Sequence, residues 1–257
     1  MGSGGETWPP DAERAVREIA RLQARLDFLT EGIQWLARGF FHEVNNPLNH
    51  ARLLVTVLSM RLKDLQDEER EMLKNSLTSC EHAHDLVKAL NEYLWLLLKA
   101  VDPVNHIELR RVNVSNVLQD ISRSDDLVTK SGMRISWDES PDVLADKSDL
   151  RRMFLEFLTS AVQRRRDDQL CVNVSCKLDD GECIFSVQDN GFGFDADDSR
   201  DIFAPFVRLE ASAKLARLGM GLAFCRLLAV ANGGRVWATS SPGEGTTFHL
   251  SLAAAGS

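Results

Sequence analysis

Long apolar runs are missing from this sequence. A helix that crosses a bilayer needs about 20 consecutive, mostly apolar residues, and no segment of the chain reaches that length. The start of the chain, MGSGG, resembles an added leader rather than a signal peptide. The sequence therefore predicts a soluble chain without a membrane span, and we expect a cytoplasmic location.

Paired cysteines are missing as well. The five cysteines are scattered and form no CxxC pair: Cys80, Cys171, Cys176, Cys183 and Cys225. A disulfide framework uses regularly spaced pairs and a zinc site uses closely spaced ligands, so this pattern favours neither. We expect reduced thiols, as is usual in the cytosol.

An excess of positive charge is the third absence. The formal net charge of -8 and the pI of about 5.3 argue against a broad nucleic-acid surface, although Arg164–Arg166 form a local basic run. The composition, with 44% hydrophobic and 26% charged residues, is that of a globular protein. At 257 residues the chain is long enough for two domains.

What the first part of the chain does contain is a heptad pattern. After Pro9, Pro10 and Asp11, which signal a helix start, apolar residues recur at alternating intervals of four and three: Ala15, Ile19, Leu22, Leu26, Leu29, Ile33, Leu36 and Phe40. The spacing predicts one helix that runs unbroken into His42. A single helix cannot bury this seam alone, so the pattern also predicts coiled-coil dimerisation.

A second helix is predicted to fold back on the first. The apolar pattern continues to Leu62, and the polar run Lys63–Arg70 then predicts a hairpin turn. A second seam follows from Leu73 to Val101, where Asp102 and Pro103 end it. Two such hairpins would pair into a dimeric four-helix bundle, and we assign residues 11–102 to this domain.

Beyond Pro103 the long helical pattern gives way to short alternating elements, which predicts a second domain over residues 106–253. The elements are a strand at Val112–Val114, a helix capped by Ser115 and reaching about Lys130, a strand at Met133–Trp137, a helix at Asp149–Arg164, and two hairpins, Leu170–Gln188 and the closing segment GGRVWATSSPGEGTTFHLSL. The mixture predicts an α/β sandwich with helices on one side of a sheet, and the whole chain is of the α+β class.

The segment FFHEVNNPLN contains the first candidate site. His42 and Asn46 are four residues apart, so a helix would present them on one face with Glu43 beside them. Pro47 removes a backbone donor just past this cluster and could bend the helix there. For a lone histidine, the alternative interpretation is a solvated residue on an amphipathic helix.

Two glycine clusters form the second candidate site: DNGFGF at Asp189–Phe194 and LGMGLAFCR at Leu218–Arg226. Glycines let the backbone approach a ligand, and a helix that begins at Gly221 would offer free N–H groups to a phosphate, so both clusters suit a nucleotide. The alternatives are an ordinary turn at DNG and tight packing at GxG. The polar segment Asp195–Arg217 between them suits a mobile lid.

These motifs together resemble the kinase core of the sensor histidine kinases of two-component systems. FFHEVNNPLN resembles the phosphoacceptor box, DNGFGF the first glycine box, IFAPFVRL the phenylalanine box, and LGMGLAFCR with the closing hairpin the second glycine box. The resemblance covers nearly the whole chain from Glu13 onward. It implies a dimeric four-helix bundle followed by an ATP-binding sandwich of the type shared with gyrase, Hsp90 and MutL.

The resemblance also implies roles for individual residues. In the bundle, His42 would be the phosphoacceptor, Glu43 the base that takes its proton, and Asn46 the residue that orients water or the regulator's aspartyl phosphate during dephosphorylation. In the sandwich, the residues implied are Asp189 for the adenine amino group, Gly191 and Gly193 for an open adenine pocket, and Gly219 and Gly221 for the phosphates.

The chain departs from the family pattern at the phosphate end. Ser160 replaces the asparagine that binds Mg²⁺ in the family motif NLLxNAxK, and Glu156 stands at the earlier asparagine of that motif. Arg217 takes the place of the first glycine of GxGxG, where it could clamp a phosphate or block the backbone approach. We therefore predict Glu156 and Ser160 as candidate metal ligands and Arg217 as a candidate nucleotide contact.

Two functions follow from the sequence. The first is a homodimeric histidine kinase that uses ATP and Mg²⁺ to phosphorylate His42 and passes the phosphoryl group to an aspartate of a response-regulator receiver domain. The second is a pseudokinase or phosphotransfer scaffold whose sandwich binds nucleotide weakly or not at all. An upstream sensor is a possible further partner, and nucleic acid is not expected.

Overall fold

The structure is a computed structural model that describes residues 10–62, 66–102, 107–166, 169–195, 202–207 and 218–256. It contains two compact units, Met1–His84 and Asp85–Ser257, and each is considered by itself. Within the described ranges, no helix combines the length and the apolarity that a membrane span requires. All five cysteines are free.

Helices make up the described part of the first unit. Helix α1 spans Pro10–Arg61 and continues through Pro47, and helix α2 spans Asp67–Val101, so that it starts in the first unit and ends in the second. Three acidic residues in the first turn of α2, Asp67–Glu69, favour its start through the helix dipole. Both predicted helices are thus found, whereas the hairpin that would pair them stays a prediction, because residues 63–65 of its turn lie outside the described ranges.

The second unit is built on strands and short helices. In chain order these are β1 (Arg110–Val112), α3 (Val114–Ser124), α4 (Asp126–Ser131), β2 (Arg134–Trp137), β3 (Val143–Ala145), α5 (Lys147–Gln163), β4 (Cys171–Asp179), β5 (Glu182–Asp189), α6 (Gly221–Ala231), β6 (Arg235–Ser241) and β7 (Gly245–Ala253). Five strands form one mixed sheet in the order β2-β4-β5-β7-β6, in which only β2 and β4 are parallel. Strands β1 and β3 form a separate antiparallel pair.

The core lies between the helices and one face of the five-stranded sheet. Residues of β5 alternate between buried positions and half-buried or exposed ones, as expected for a strand with one face against a core. Rings from α5 and from the sheet meet there: Phe154 packs edge-on against Phe185 at 6.2 Å, and Phe157 stacks on Phe248 at 5.0 Å between ring centroids. The predicted α/β sandwich and α+β class are confirmed.

The last part of α2 belongs to this second core. Leu96 and Leu98 are buried, and Leu96 joins the same apolar cluster as the phenylalanines of α5. Lys99 Nζ lies 2.7 Å from Asp149 Oδ1 at the start of α5. The compact units therefore divide within α2, between His84 and Asp85. The domain boundaries drawn from the sequence, 11–102 and 106–253, stay predictions.

Two sequence expectations about helix starts were wrong. Helix α3 is capped by Asn113, whose side chain accepts a hydrogen bond from Asn116 N at 3.0 Å, and not by Ser115. The helix expected to reach Lys130 is interrupted at Asp125, whose carboxylate accepts from Leu127 N at 3.0 Å and caps α4. In both cases a short polar side chain satisfies free N–H groups and so decides where a helix begins.

Candidate nucleotide-binding site

Asp189 is the buried polar residue at the centre of the candidate site. It ends β5, its exposed fraction is 5%, and its Oδ1 accepts hydrogen bonds from Gly191 N at 2.8 Å and Thr246 N at 3.2 Å. In the described part of the chain no further donor bonds this carboxylate. Burial raises the pKa of Asp189, while the two N–H groups and the charge of Arg164 act in the opposite direction. The side chain of Asp189 is therefore a buried acceptor that can accept a hydrogen bond from a ligand.

The glycines that follow Asp189 pack against backbone. A Cβ built on Gly191 would lie 2.5 Å from the carbonyl oxygen of Arg164, and one on Gly193 would overlap the carbonyl oxygen of Ser241. Gly193 also has a φ of +62°, a backbone conformation that residues other than glycine rarely adopt. In this structure both glycines therefore allow close contact with neighbouring chain segments. Their predicted role of keeping an adenine pocket open stays a prediction.

The turn between β6 and β7 supports this loop from one side. Phe194 N donates to Ser240 Oγ at 2.9 Å, and Gly243 N donates to the carbonyl of Phe192 at 2.7 Å. Thr246, whose N–H reaches Asp189, belongs to the next strand. Thr246 was not identified from the sequence because its contribution is a backbone N–H, which carries no residue-type signal.

Helix α6 begins at Gly221, as predicted, and a carboxylate lies at its start. A Cβ built on Gly221 would overlap Oε2 of Glu156 and would lie 2.9 Å from its Cδ. The N-cap residue, Met220, makes no side-chain capping hydrogen bond. One turn on, burial and the negative charge of Glu156 raise the pKa of Cys225. Glu156 thus lies where the first N–H groups and the positive dipole end of α6 favour an anion.

Ser160 lies one helical turn after Glu156, on the same face of α5. Together they offer a carboxylate and a hydroxyl oxygen, which are hard donors of the kind that Mg²⁺ prefers, and Mg²⁺ usually takes its other ligands from water and substrate phosphates. Among the described residues there is no cluster of three or more His, Cys, Asp or Glu side chains that could hold a metal without such help. The pair fits a Mg²⁺ that is bound jointly with a nucleotide.

The phenylalanine box is joined to the second glycine box by a backbone hydrogen bond. Phe206 N donates to the carbonyl of Gly219 at 3.0 Å, and Phe203 packs edge-on against the core ring Phe248 at 6.3 Å. Gly219 has a positive φ of +69°. Arg217 and most of the predicted lid, residues 196–201 and 208–217, lie outside the described residues.

The segment predicted to contain the phosphoacceptor lies in the other unit. His42, Glu43 and Asn46 are all within α1, which confirms their helical setting, and Asn46 is exposed. The side chains of His42 and Glu43 are outside what the structure describes. The predicted His42, Glu43 and Asn46 cluster therefore stays a prediction.

Comparison with known proteins relates this geometry to a protein family. Residues 145–256 match the family described as histidine kinase-, DNA gyrase B-, and HSP90-like ATPase. The chain is 26% identical to the phytochrome-like protein Cph1 of Synechocystis over 93% of its own length, and 25% identical to the adaptive-response sensory kinase SasA of Prochlorococcus marinus over 86%. The resemblance to sensor histidine kinases is confirmed.

Solved structures of histidine kinases share the fold. ShkA, crystallised at full length in complex with AMPPNP, aligns with a TM-score of 0.61 and 27% identity over 88% of this chain and 47% of ShkA. The Acinetobacter baumannii histidine kinase AdeS aligns with a TM-score of 0.56 at 16% identity over 83% of this chain and 97% of AdeS, a likeness of fold alone. The chain spans 31% of Cph1 and 57% of SasA, so it corresponds to only part of those two proteins.

Proposed function

We propose that this protein is a histidine kinase that binds ATP in its second unit and phosphorylates His42. The observation that carries the proposal is Asp189, a buried carboxylate beside two glycine-dependent backbone contacts, within the ATPase-type domain of residues 145–256. Its Oδ1 is held by two protein N–H groups, which orients Oδ2 as an acceptor for the adenine amino group.

ATP, when bound, supplies the γ-phosphoryl group. In the proposed reaction an imidazole nitrogen of His42 forms a bond to the γ-phosphorus, and the bond from that phosphorus to the bridging oxygen breaks, so that ADP leaves. Glu43 takes the proton of the imidazole ring and thereby keeps the attacking nitrogen unprotonated. Asn46 would orient water or the regulator's aspartyl phosphate in the reverse, dephosphorylating reaction.

The start of α6 and the facing side chains of α5 would hold the phosphate end. Gly219 and Gly221 allow close approach of the backbone, and Glu156 and Ser160 would hold Mg²⁺ together with phosphate oxygens. Mg²⁺ neutralises phosphate charge when bound. Arg217 is proposed as a phosphate contact on the basis of its sequence position alone.

We further propose that the protein acts as a homodimer and delivers the phosphoryl group to an aspartate of a response-regulator receiver domain. The heptad seam of α1 supports dimerisation, and the partial coverage of longer sensory kinases supports an upstream sensor as a further partner. The cytosolic location expected from the sequence stays a prediction.

A second candidate is a pseudokinase or phosphotransfer scaffold, and the position of Glu156 favours it. The carboxylate lies against Gly221, at the helix start proposed to receive the phosphates. Without a cation between them, its charge would repel a phosphate and weaken binding. The variant Ser160→Asn separates the two candidates. In a pseudokinase it should raise the Mg²⁺-dependent ATP affinity and the labelling, whereas in an efficient kinase it should change both very little. Ser160→Ala, which removes the hydroxyl, is the matched control.

The test of the first candidate is incubation with γ-labelled ATP and Mg²⁺. We expect label that is acid-labile and base-stable, as a phosphoramidate is, and that disappears in His42→Gln. Glu43→Gln should slow labelling while nucleotide binding stays near normal. Label that persists in His42→Gln would place the acceptor elsewhere, and ATP binding without any label would favour the scaffold.

A further inference from the structure

Arg164 is a buried arginine whose function the family resemblance does not explain. It is the C-cap residue of α5, and its exposed fraction is 6%. Burying a guanidinium group is costly unless the group is compensated by hydrogen bonds or by a suitable electrostatic environment. An arginine at such a position therefore needs a structural or functional reason.

The contacts of Arg164 converge on the first glycine box. Its Nη2 donates a hydrogen bond to the carbonyl of Gly193, and its guanidinium carbon lies 5.5 Å from the ring centroid of Phe194. Its own carbonyl accepts from Phe192 N at 2.9 Å and forms the surface against which Gly191 packs. One residue therefore contacts four consecutive residues of the loop that follows Asp189.

The loop is held on its other side by the β6–β7 turn. Phe194 N donates to Ser240 Oγ, and Gly243 N donates to the carbonyl of Phe192. Arg166 Nη1 in turn donates to the carbonyl of Gly243 at 2.7 Å, which links the end of α5 to the turn. The side chain of Arg164 and the β6–β7 segment thus hold the glycine-box loop by hydrogen bonds from two sides.

Arg164 also acts on the charge of Asp189. Burial raises the pKa of Asp189, and the positive charge of Arg164 together with the N–H groups of Gly191 and Thr246 opposes that rise. Arg164 contributes the charge–charge part of this opposing effect. It therefore favours the ionised form, which is the better hydrogen-bond acceptor.

We infer that Arg164 is a positioning residue for nucleotide binding, which fixes the glycine-box loop and the acceptor Asp189 for the base end of the ligand. This inference rests on the proposed function. Arg164 acts through the loop and the carboxylate rather than by touching the ligand. A purely structural arginine would stabilise the fold to the same degree with or without nucleotide and would leave the pH dependence of binding unchanged.

The test compares ATP affinity in three variants of the full chain, measured by equilibrium dialysis. Arg164→Met removes the charge and the hydrogen bond, and we expect ATP binding at least about tenfold weaker, as for loss of a charge-assisted hydrogen bond. Arg164→Lys keeps the charge but lacks the planar fork, so we expect an intermediate loss. Arg235→Met is the control, because Arg235 stacks on Trp237 at 5.2 Å, away from the loop, and should bind as the parent does.

The pH profile of binding is the readout that distinguishes positioning from simple stability. With Arg164→Met, the pH at which ATP binding falls to half should move upward, because Asp189 has lost its positive neighbour and protonates more readily. With Arg164→Lys this midpoint should stay near that of the parent. Thermal unfolding without ligand, recorded for each variant, measures any loss of fold separately.

Each outcome supports or overturns the inference. Affinity within twofold of the parent in Arg164→Met, or a weaker affinity with an unmoved pH midpoint in that variant, overturns it. Failure of both Arg164 variants to fold also overturns it, because Arg164 would then serve the fold itself. Absence of ATP binding by the parent would defeat the proposed function, and the inference with it, whereas parent binding with unaffected variants defeats the inference alone.

Discussion

At the scale of single residues, Asp189 combines a cost in stability with a use in binding. Burial raises the pKa of Asp189 in the folded state above its unfolded value, which is near 3.9. A carboxylate with such a raised pKa lowers the free energy of unfolding as the pH rises through the folded pKa, and it still destabilises the fold at higher pH. The ionised form that suits an adenine amino group is therefore the form that the fold disfavours. Residues of this kind are expected at ligand sites.

Asp189→Asn should separate these two effects. The amide oxygen can still accept the N–H groups of Gly191 and Thr246, while the buried charge is gone, so we expect the free energy of unfolding at pH 7 to stay equal or to rise by up to about 1 kcal/mol. ATP binding should be lost. Urea unfolding and equilibrium dialysis measure the two quantities, and an Asn variant that is much less stable would contradict this account.

The same carboxylate predicts the pH dependence of the parent. Below the raised pKa of Asp189 the carboxylate is protonated, so ATP affinity should fall as the pH is lowered, with a midpoint above that of an exposed aspartate. Stability contributed by this group should change in the opposite direction over the same range, because the folded state then binds the proton more readily than the unfolded state.

At the scale of elements, the contact between the glycine-box loop and the β6–β7 turn depends on the absence of a side chain at Gly193. Gly193→Ala adds both a strained φ and an overlap with the carbonyl of Ser241. Gly132→Ala is a matched control, because Gly132 has a similar φ of +69° but no atom within 4 Å of an added Cβ.

We expect Gly193→Ala to lower the free energy of unfolding by about 1 to 2 kcal/mol more than Gly132→Ala, since only the former must displace backbone. ATP affinity should fall in Gly193→Ala and stay unchanged in Gly132→Ala. Chemical unfolding of both variants checks the first expectation. Equal decreases in the free energy of unfolding would contradict it, because the overlap with the carbonyl of Ser241 would then add no destabilisation.

A second element-scale contact joins the end of α2 to the second unit. Asp149 is buried, and its two oxygens accept from Lys99 Nζ at 2.7 Å and from Asn232 Nδ2 at 2.9 Å. Asn232 also accepts from Asp146 N through its Oδ1, at 2.8 Å. This chain of hydrogen bonds connects α2, the start of α5 and the end of α6.

Lys99→Met should destabilise the second unit by about 1 to 3 kcal/mol, because it leaves the buried carboxylate of Asp149 without its cation while Asn232 still holds one oxygen. Lys130→Met is the control: its pair with Asp126 has the same 2.7 Å distance but is largely exposed, so we expect almost no change. Urea unfolding of the two variants measures the difference, and equal effects would contradict the role assigned to burial.

At the scale of the whole molecule, the seam of α1 bears on the proposed dimer. Four apolar side chains that the heptad pattern places on one stripe are strongly exposed in the single chain: Ile19, Leu22, Leu26 and Leu29. A stripe of this kind is stable in water when a second helix covers it. The exposure agrees with the dimer that is proposed from the sequence.

Replacing Leu29 and Ile33 together by glutamate should convert the protein to a monomer, since each substitution would bury an unpaired charge in the seam. Leu178→Glu is the control, because Leu178 is an exposed apolar residue on β4, outside the seam. Sedimentation at micromolar concentration should find dimers for the parent and the control only. A monomeric parent would end the dimer proposal.

Local patterns in the sequence were sufficient to predict the long helices and the resemblance to histidine kinases. The α2 helix, the β4–β5 and β6–β7 hairpins and the start of α6 at Gly221 were predicted, because periodicity and turn residues act over a few positions. The glycine boxes were recognised for the same reason. Strand β3 was not predicted, because its three residues are too few to show a period. It is held by pairing with β1 and by a bridge to Ala254.

Only the tertiary structure decided which residues surround the candidate site. It brings Glu156 against Gly221, Thr246 to Asp189, and the arginine of a basic run, Arg164, beneath the glycine-box loop. It also places the end of α2 in the core of the second unit. These contacts join residues tens of positions apart, and they depend on strand order and on helix packing. Sequence spacing determines the faces of helices and strands, whereas long-range packing determines which faces meet.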